Sequence, residues 1–138
     1  MQEYTIALSR NQLRVIEIAL ESYFRTHMDQ WFDFADDIAF MHFTYDKNDP
    51  QNSEQFNLRI NRRNEAIELF SQAFKTAYPS PIFDKTPDVC SAIDIWHVIR
   101  HQFWKEIPEE RKTSWSVDSY PPFPMADEPL INIERKTE

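Results

Sequence analysis

The sequence predicts a mainly α-helical protein of about four helices, with short N- and C-terminal strands and an extended C-terminal arm packed over the helices. Apolar side chains recur every three to four residues in four stretches. Asn, Asp, Ser and Pro cluster between those stretches, as turns require. A Pro-rich aromatic segment follows the last stretch and is too apolar to stay in water. We expect a single domain over 1–138, with a helical body over 9–107 and the arm over 113–134.

The N-terminal part predicts a strand and then the first helix. Tyr4, Ile6 and Leu8 alternate with polar or small residues, as in a strand. Ser9 and Gln12 have the spacing of a capping box, which begins a helix. The buried stripe of that helix comprises Leu13, Ile16, Leu20, Tyr23 and Phe24 or His27, whereas Arg10, Arg14, Glu17 and Glu21 are expected to face water.

The next two helices are less clearly bounded. The second, within 26–45, is apolar nearly all round, which favours a position between neighbours or in an oligomer interface. Thr26 or Asp29 is its expected cap. Its acidic strip is either a cation site or a solvated face; it comprises Asp33, Asp36 and Asp37. The third helix is predicted to start at Asn61 and to end before Pro79 and Pro81.

The fourth helix is expected to be both the core helix and one wall of any site. Thr86, Pro87 and Asp88 combine a cap, a first-turn proline and a first-turn acid. Asp94, His97 and His101 lie on one side at three- and four-residue spacing, next to an apolar side. Beyond Pro108, strands are predicted at Trp115 with Val117 and at 130–133.

Composition excludes several classes of function. The net charge of −8 disfavours binding to nucleic-acid backbones and anionic membranes. The chain has no glycine, which excludes phosphate-binding glycine loops. One cysteine, Cys90, cannot form an intrachain disulfide, and the N-terminus does not resemble a signal peptide. We therefore expect a cytoplasmic protein.

A possible ligand site combines cationic and aromatic residues of two helices. Arg25 and His27 lie near the end of the first helix, with Gln30 following, and Arg100 and His101 lie on the fourth. Such groups suit a phosphate or carboxylate, and nearby rings suit a flat ligand. The candidate ligand-binding residues are Arg25, His27, Gln30, Asp94, Trp96, Arg100, His101 and Trp104. The alternative is that both arginines pair with internal acids such as Asp94 or Asp118 and hold the tail.

Enzymatic chemistry has less support. His97 and His101 could hold a transition metal with Asp94, but the chain lacks a cysteine pair and a glutamate between the histidines. No glycine-flanked serine elbow is present. We expect no catalytic residue, metal or other cofactor.

Three blocks resemble small proteins encoded by bacteriophages and prophages. Ser22–Trp31 resembles their YSR-hydrophobic-x-x-GQF stretch, Ala92–Trp104 their AWDLYQVIRHALAW helix, and Val117–Leu130 their TVDFDEPL…EPLP ending. The resemblance covers most of the chain outside 46–84. Asp29 stands where the family has glycine; aspartate can adopt a left-handed turn at some energetic cost.

The resemblance implies a phage-encoded, non-enzymatic accessory role, and such proteins often counter host defence. The motif positions that it carries over are Arg25, Gln30, Asp94, Arg100, His101, Asp118 and Glu128. The preferred function is to bind and sequester a small anionic ligand, such as a cyclic or linear nucleotide, in the host cytoplasm as a homo-oligomer. The first alternative is an acidic inhibitor of a host protein, and the second is a metal-dependent enzyme using His97 and His101.

Overall fold

The computed structural model describes residues 4–78, 86–112 and 116–135, and the mainly helical class is confirmed. The described residues form four α-helices: α1 (Arg10–His27), α2 (Phe32–Phe40), α3 (Asn52–Ala77) and α4 (Pro87–Lys105). Two compact units share these helices: the terminal unit, Met1–Phe24 with Lys85–Glu138, and the central unit, Arg25–Asp84. None of the described helices combines the length and the apolar content needed to cross a bilayer.

The predicted strands are absent from the described residues. Residues 4–9 and 130–133 have no strand hydrogen bonding. Alternating apolar side chains alone do not make a strand, because a strand also needs hydrogen bonds to a neighbouring strand. Trp115 lies outside the described residues. The segment after α4 is not continuously extended, since it contains 3₁₀ turns at Glu109–Arg111 and Val117–Ser119. In the second turn the Ser116 hydroxyl accepts a hydrogen bond from the Asp118 N–H at 3.1 Å.

Both helices of the terminal unit begin as predicted. The Ser9 N–H donates to Gln12 Oε1 at 2.8 Å, and the Gln12 N–H donates to Ser9 Oγ at 3.2 Å, which is a capping box. At α4, Thr86 Oγ1 accepts from the Val89 N–H at 3.4 Å, and Pro87 occupies the first helical position.

The core of the terminal unit is centred on α4, as predicted. Its buried apolar residues are Phe24, Val89, Cys90, Ala92 and Ile99. Phe24 meets Trp96 edge-on, with ring centroids 5.2 Å apart. Arg10 at the start of α1 pairs with Glu106 just after α4, so the two helices run antiparallel. Polar residues of α4 are buried too, because Asp94 and His97 contact the C-terminal segment rather than water.

The central unit packs α2 against α3 mainly through aromatic rings. Trp31 and Phe34 each lie 5.4 Å from Phe70, measured between centroids. Near the start of α3, the Phe56 ring contacts three rings from the end of α2 and the residues that follow it, those of Phe40, Phe43 and Tyr45. These tilted and edge-on ring contacts replace a deeply buried core, since Ala35 is the one buried apolar residue of the described part of this unit.

The predicted starts of α2 and α3 were wrong, whereas α3 ends at Ala77, before Pro79, as predicted. Trp31, and neither Thr26 nor Asp29, occupies the position before α2. Helix α3 begins at Asn52 instead of Asn61, because the Asp49 side chain and carbonyl accept the N–H groups of Gln51 and Asn52 and start the helix earlier. Pro79 and Pro81 lie outside the described residues.

Asp29 ends α1 in a left-handed conformation with φ of 57°. The Gln30 N–H donates to the Arg25 carbonyl at 2.9 Å and the Asp29 N–H to the Thr26 carbonyl at 3.3 Å, which are the two bonds of a Schellman motif. The Asp29 carboxylate accepts from Trp31 Nε1 at 2.8 Å and from Ser71 Oγ at 3.0 Å. The side chain thus compensates for occupying a position that favours glycine.

Replacing Asp29 with alanine should lower the free energy of unfolding by about 2 kcal/mol, because two hydrogen bonds are lost and the left-handed backbone remains costly. Asp29→Gly loses the same bonds but adopts the turn freely, so it should be about 1 kcal/mol more stable than the alanine variant. Urea unfolding followed by circular dichroism measures both, with the exposed Asp37→Ala as the control. Equal stability of the two Asp29 variants would contradict the role assigned to the left-handed backbone.

Candidate functional site

Arg100 on α4 binds Asp118 in the second 3₁₀ turn through one hydrogen bond and one close ionic contact. Arg100 Nη2 donates to Asp118 Oδ2 at 2.8 Å, and Arg100 Nε lies 2.7 Å from Asp118 Oδ1. Glu21 on α1 adds a second carboxylate, 3.9 Å from Arg100 Nη1. A charge-assisted contact between a guanidinium and a carboxylate is stronger than a hydrogen bond between neutral groups.

Electrostatics keep Arg100 charged. Burial disfavours the charged guanidinium, but the hydrogen bond with Asp118 and the negative charges of Asp118, Glu21 and Glu17 outweigh burial and raise the pKa of Arg100. Arg100 therefore keeps its positive charge at neutral pH. The site has a fixed positive centre that is already surrounded by acids.

Trp96 forms one wall beside this cation. The Arg100 guanidinium carbon lies 4.7 Å from the Trp96 ring centroid, a cation–π distance. Trp96 Nε1 donates to Glu21 Oε2 at 3.3 Å. Since Trp96 contacts Phe24 on its other side, it links α1 to the charged cluster.

Both histidines of α4 hold the second 3₁₀ turn by its backbone. His97 Nε2 lies 3.2 Å from the Val117 carbonyl, and His101 Nδ1 lies 2.7 Å from the Asp118 carbonyl. A carbonyl oxygen can only accept, so both ring nitrogens carry the proton. Within the described residues, no group of three His, Cys, Asp or Glu side chains is arranged to hold a metal.

Asp94, which precedes His97 by one helical turn on α4, binds the backbone of the C-terminal segment at Met125 and Ala126. Both of its carboxylate oxygens lie 2.9 Å from the Met125 nitrogen, and Oδ2 also accepts from the Ala126 N–H at 2.9 Å. Asp94 is only 6% exposed, so these amides are the groups that compensate for its lost hydration. Its role in the structure is therefore to anchor backbone.

Arg100 also lines an open hollow of about 230 Å³ between α1 and the end of α4. We call this the arginine hollow. Its lining residues are Arg10, Arg14, Arg100, Phe103, Trp104, Ile107 and Asp118. Three guanidinium groups and two aromatic rings therefore share one solvent-accessible concavity.

The two arginines of α1 are the more exposed members of the hollow. Their side chains are 66% and 58% exposed for Arg10 and Arg14, against 29% for Arg100. Arg10 Nε lies 3.2 Å from Glu106, and its guanidinium lies over the Phe103 ring at 4.7 Å. Arg14 pairs with Glu17, which is buried. Each cation thus has an acid partner but keeps part of its surface open to water.

Trp104 lines the hollow, and its ring already has two neighbours. Its ring stacks on His101 at 5.8 Å between centroids and 14° between planes, and Lys112 Nζ lies 4.7 Å from the ring. Trp104 Nε1 is buried and has no hydrogen-bond partner among the described residues. A buried indole N–H without an acceptor is unusual, so this residue has an unused donor.

A groove of about 550 Å³ in the same unit is larger but chemically less suited to an anion. Its lining combines two arginines, Arg10 and Arg135, with two acids, Glu106 and Glu134. The remaining side chains are mostly apolar or small. The lining of this groove has as many acids as arginines, whereas the lining of the arginine hollow has three arginines and one acid. We therefore regard the smaller arginine hollow as the better site for an anionic ligand.

The predicted site residues fall in both units. Asp94, Trp96, Arg100, His101 and Trp104 lie on α4 in the terminal unit, where Asp118 joins them.

The remaining candidates, Arg25, His27 and Gln30, belong to the central unit. Arg25 Nη1 donates to Gln30 Oε1 at 2.9 Å, and Arg25 Nε lies 3.0 Å from Asp33 Oδ2. His27 is the last residue of α1 and is half-buried. The acid pairing considered as the alternative is thus present at both arginines, with Asp118 for Arg100 and Asp33 for Arg25.

Sequence reasoning missed Arg10 and Arg14. They were assigned to the water-facing side of α1, and their four-residue spacing placed them on one face of the helix. That spacing was the available signal, but it could not reveal that the end of α4 lies opposite. Comparison with known proteins adds nothing to this site, since no family model, curated protein or solved structure matches the chain.

Replacing Asp94 with alanine should lower the free energy of unfolding by about 1–3 kcal/mol, because the amides of Met125 and Ala126 lose their acceptor. Hydrogen exchange, read by NMR, should become faster at these two amides before it changes in α1. Asp94→Asn keeps one acceptor oxygen and should be intermediate, and the exposed Asp127→Ala serves as the control. Unchanged exchange at Met125 and Ala126 would show that Asp94 is not their anchor.

Proposed function

We propose that this protein is a non-enzymatic binding protein that holds and sequesters a small anionic ligand of nucleotide type in the arginine hollow. The observation that carries the proposal is that Arg10, Arg14 and Arg100 line one concavity together with the Trp104 ring. Guanidinium groups recognise phosphate by two parallel hydrogen bonds. Aromatic faces bind nucleobases by stacking, with little dependence on sequence.

The size of the hollow limits the ligand. About 230 Å³ is below the roughly 300–1,000 Å³ of pockets that enclose drug-sized molecules. It has room for a phosphate group and one ring, whereas a cyclic dinucleotide would extend well into solvent. We therefore favour a mononucleotide-sized ligand, whose phosphate contacts the arginines while its base takes the place of Lys112 at the Trp104 ring.

The chain's resemblance to phage accessory proteins supports a sequestering role over catalysis. In this proposal the protein acts in the host cytoplasm and counters host defence by removing a nucleotide signal. The arm predicted over 113–134 takes part through Asp118 alone. Arg25, His27 and Gln30 are not needed for this ligand.

One observation in the central unit favours an interaction surface, either for self-association or, as in the rival proposal, for a host protein. Phe34, Ile38 and Met41 on and just after α2 remain 48%, 49% and 58% exposed. Large exposed apolar patches mark interaction surfaces. The acidic strip gives less support, since Asp33 pairs with Arg25 and Asp36 with Arg63. We therefore assign the α2 face to self-association of the protein, and a host partner remains the alternative.

Isothermal titration calorimetry with nucleoside mono- and triphosphates tests the first proposal. The unmodified protein should bind at least one of them, and Arg10→Gln and Arg100→Lys should each weaken binding about tenfold, since a charge-assisted contact or a fork geometry is lost. Arg111→Gln is the matched control, because Arg111 is exposed and lies outside the hollow. Absence of heat across the panel with folded protein, or equal losses in all three variants, would refute the proposal.

Self-association is tested by sedimentation equilibrium. The unmodified protein should form oligomers, and Ile38→Glu should shift it toward monomer because a charge is placed in the apolar face. Glu65→Gln, an exposed substitution on α3, is expected to leave the assembly unchanged. A monomer at all concentrations in the unmodified protein would leave the α2 face to a different partner.

A further inference from the structure

Asp118 occupies the fork of the one arginine of the hollow that is mostly buried. Its carboxylate oxygens lie 2.7 and 2.8 Å from Arg100 Nε and Nη2, and Asp118 itself is part of the lining. A ligand phosphate that contacted Arg100 at the same two nitrogens would have to take the place of this carboxylate. The chain therefore fills with its own anion the position that an anionic ligand needs.

We propose that Asp118 is an internal competitor that makes the arginine hollow selective for ligands with two or more negative charges. This inference rests on the proposed function, because it concerns selectivity at the same hollow. It assigns to Asp118 a specificity-determining role that its ion pair alone would not require.

The first argument is the strength of the competition. Asp118 is tethered in the chain only 18 residues after Arg100, and short tethers give effective concentrations in the millimolar range or above. Its turn is ordered in advance by Ser116, whose hydroxyl caps it. A free monocarboxylate offers the same two oxygens without these advantages, so it cannot displace Asp118 at ordinary concentrations.

The second argument is the presence of two further cations. Arg10 and Arg14 line the same hollow, and their side chains are mostly exposed. The Asp118 carboxylate has no contact with either among the described hydrogen bonds and ion pairs. A pyrophosphate or a nucleoside polyphosphate reaches Arg100 and α1 at once and gains contacts that Asp118 does not make.

The third argument is that the carboxylate can leave without loss of the turn. His101 holds the Asp118 carbonyl at 2.7 Å, and His97 holds the Val117 carbonyl at 3.2 Å. Both contacts are to the backbone and do not involve the carboxylate. A change of side-chain rotamer at Asp118 therefore opens the fork of Arg100 while the turn stays attached to α4.

The test compares the unmodified protein with Asp118→Asn, using acetate, inorganic phosphate and pyrophosphate as probes in titrations at constant ionic strength. The unmodified protein should bind pyrophosphate and not acetate. Asp118→Asn should bind pyrophosphate about tenfold more tightly and should bind acetate measurably, because a charge-assisted competitor has been removed. Asp127→Asn removes the same charge from an exposed position of the same segment and should match the unmodified protein within about twofold.

A second measurement decides the question if Asp118→Asn does not fold. In the unmodified protein, pyrophosphate should shift the carboxyl carbon resonance of Asp118 in NMR spectra, whereas the Asp127 carboxyl should not respond. Pyrophosphate binding with no change at Asp118, or with equal affinity in the asparagine variant, would overturn the competitor and leave the anion-binding function standing. Failure of pyrophosphate to bind either the unmodified or the folded asparagine variant would overturn both.

Discussion

The pair formed by Arg100 and Asp118 is the interaction around which the candidate site is arranged. It joins α4 to the second 3₁₀ turn at 2.7 and 2.8 Å in a partly buried setting. A half-buried guanidinium without its acid would be costly, and an acid without its cation would be costly too. Glu21 and Trp96 enclose the same cation from the side, so Arg100 links α4 to α1 and to the following segment, whose turn His97 and His101 also hold by its backbone.

The proposed ligand site depends on the position of this pair in the lining of the arginine hollow. Arg100 faces acids on one side and the arginine hollow on the other. The hollow gathers positive charge on a protein whose net charge is −8, which favours a small anion without favouring nucleic acid. In the proposed function, the charge that matters for recognition is thus local and differs in sign from the total charge of the chain.

Local sequence rules predicted the parts of the fold that depend on neighbours in the chain. The capping box of Ser9 and Gln12 and the cap at Thr86 were predicted, because a few residues determine a helix start. The strands failed because pairing depends on residues far along the chain. The start of α3 was misplaced because Asp49 caps backbone amides from within a loop. The sequence identified Arg100 as a candidate because it lies on the predicted fourth helix. It did not identify Arg10, because the contact of Arg10 with α4 depends on tertiary packing.

The polar side of α4 offers the facing backbone one hydrogen-bond acceptor, at Asp94, and two donors, at His97 and His101. Asp94 takes N–H groups from Met125 and Ala126, whereas the two histidines, His97 and His101, give N–H groups to carbonyls of the second 3₁₀ turn. A carboxylate can only accept, whereas a protonated ring nitrogen donates, so Asp94 needs N–H groups of the segment and the two histidines need carbonyls. The polar side of α4 therefore restricts where along the helix the C-terminal segment can lie, because each of its contacts must meet a group of the opposite kind.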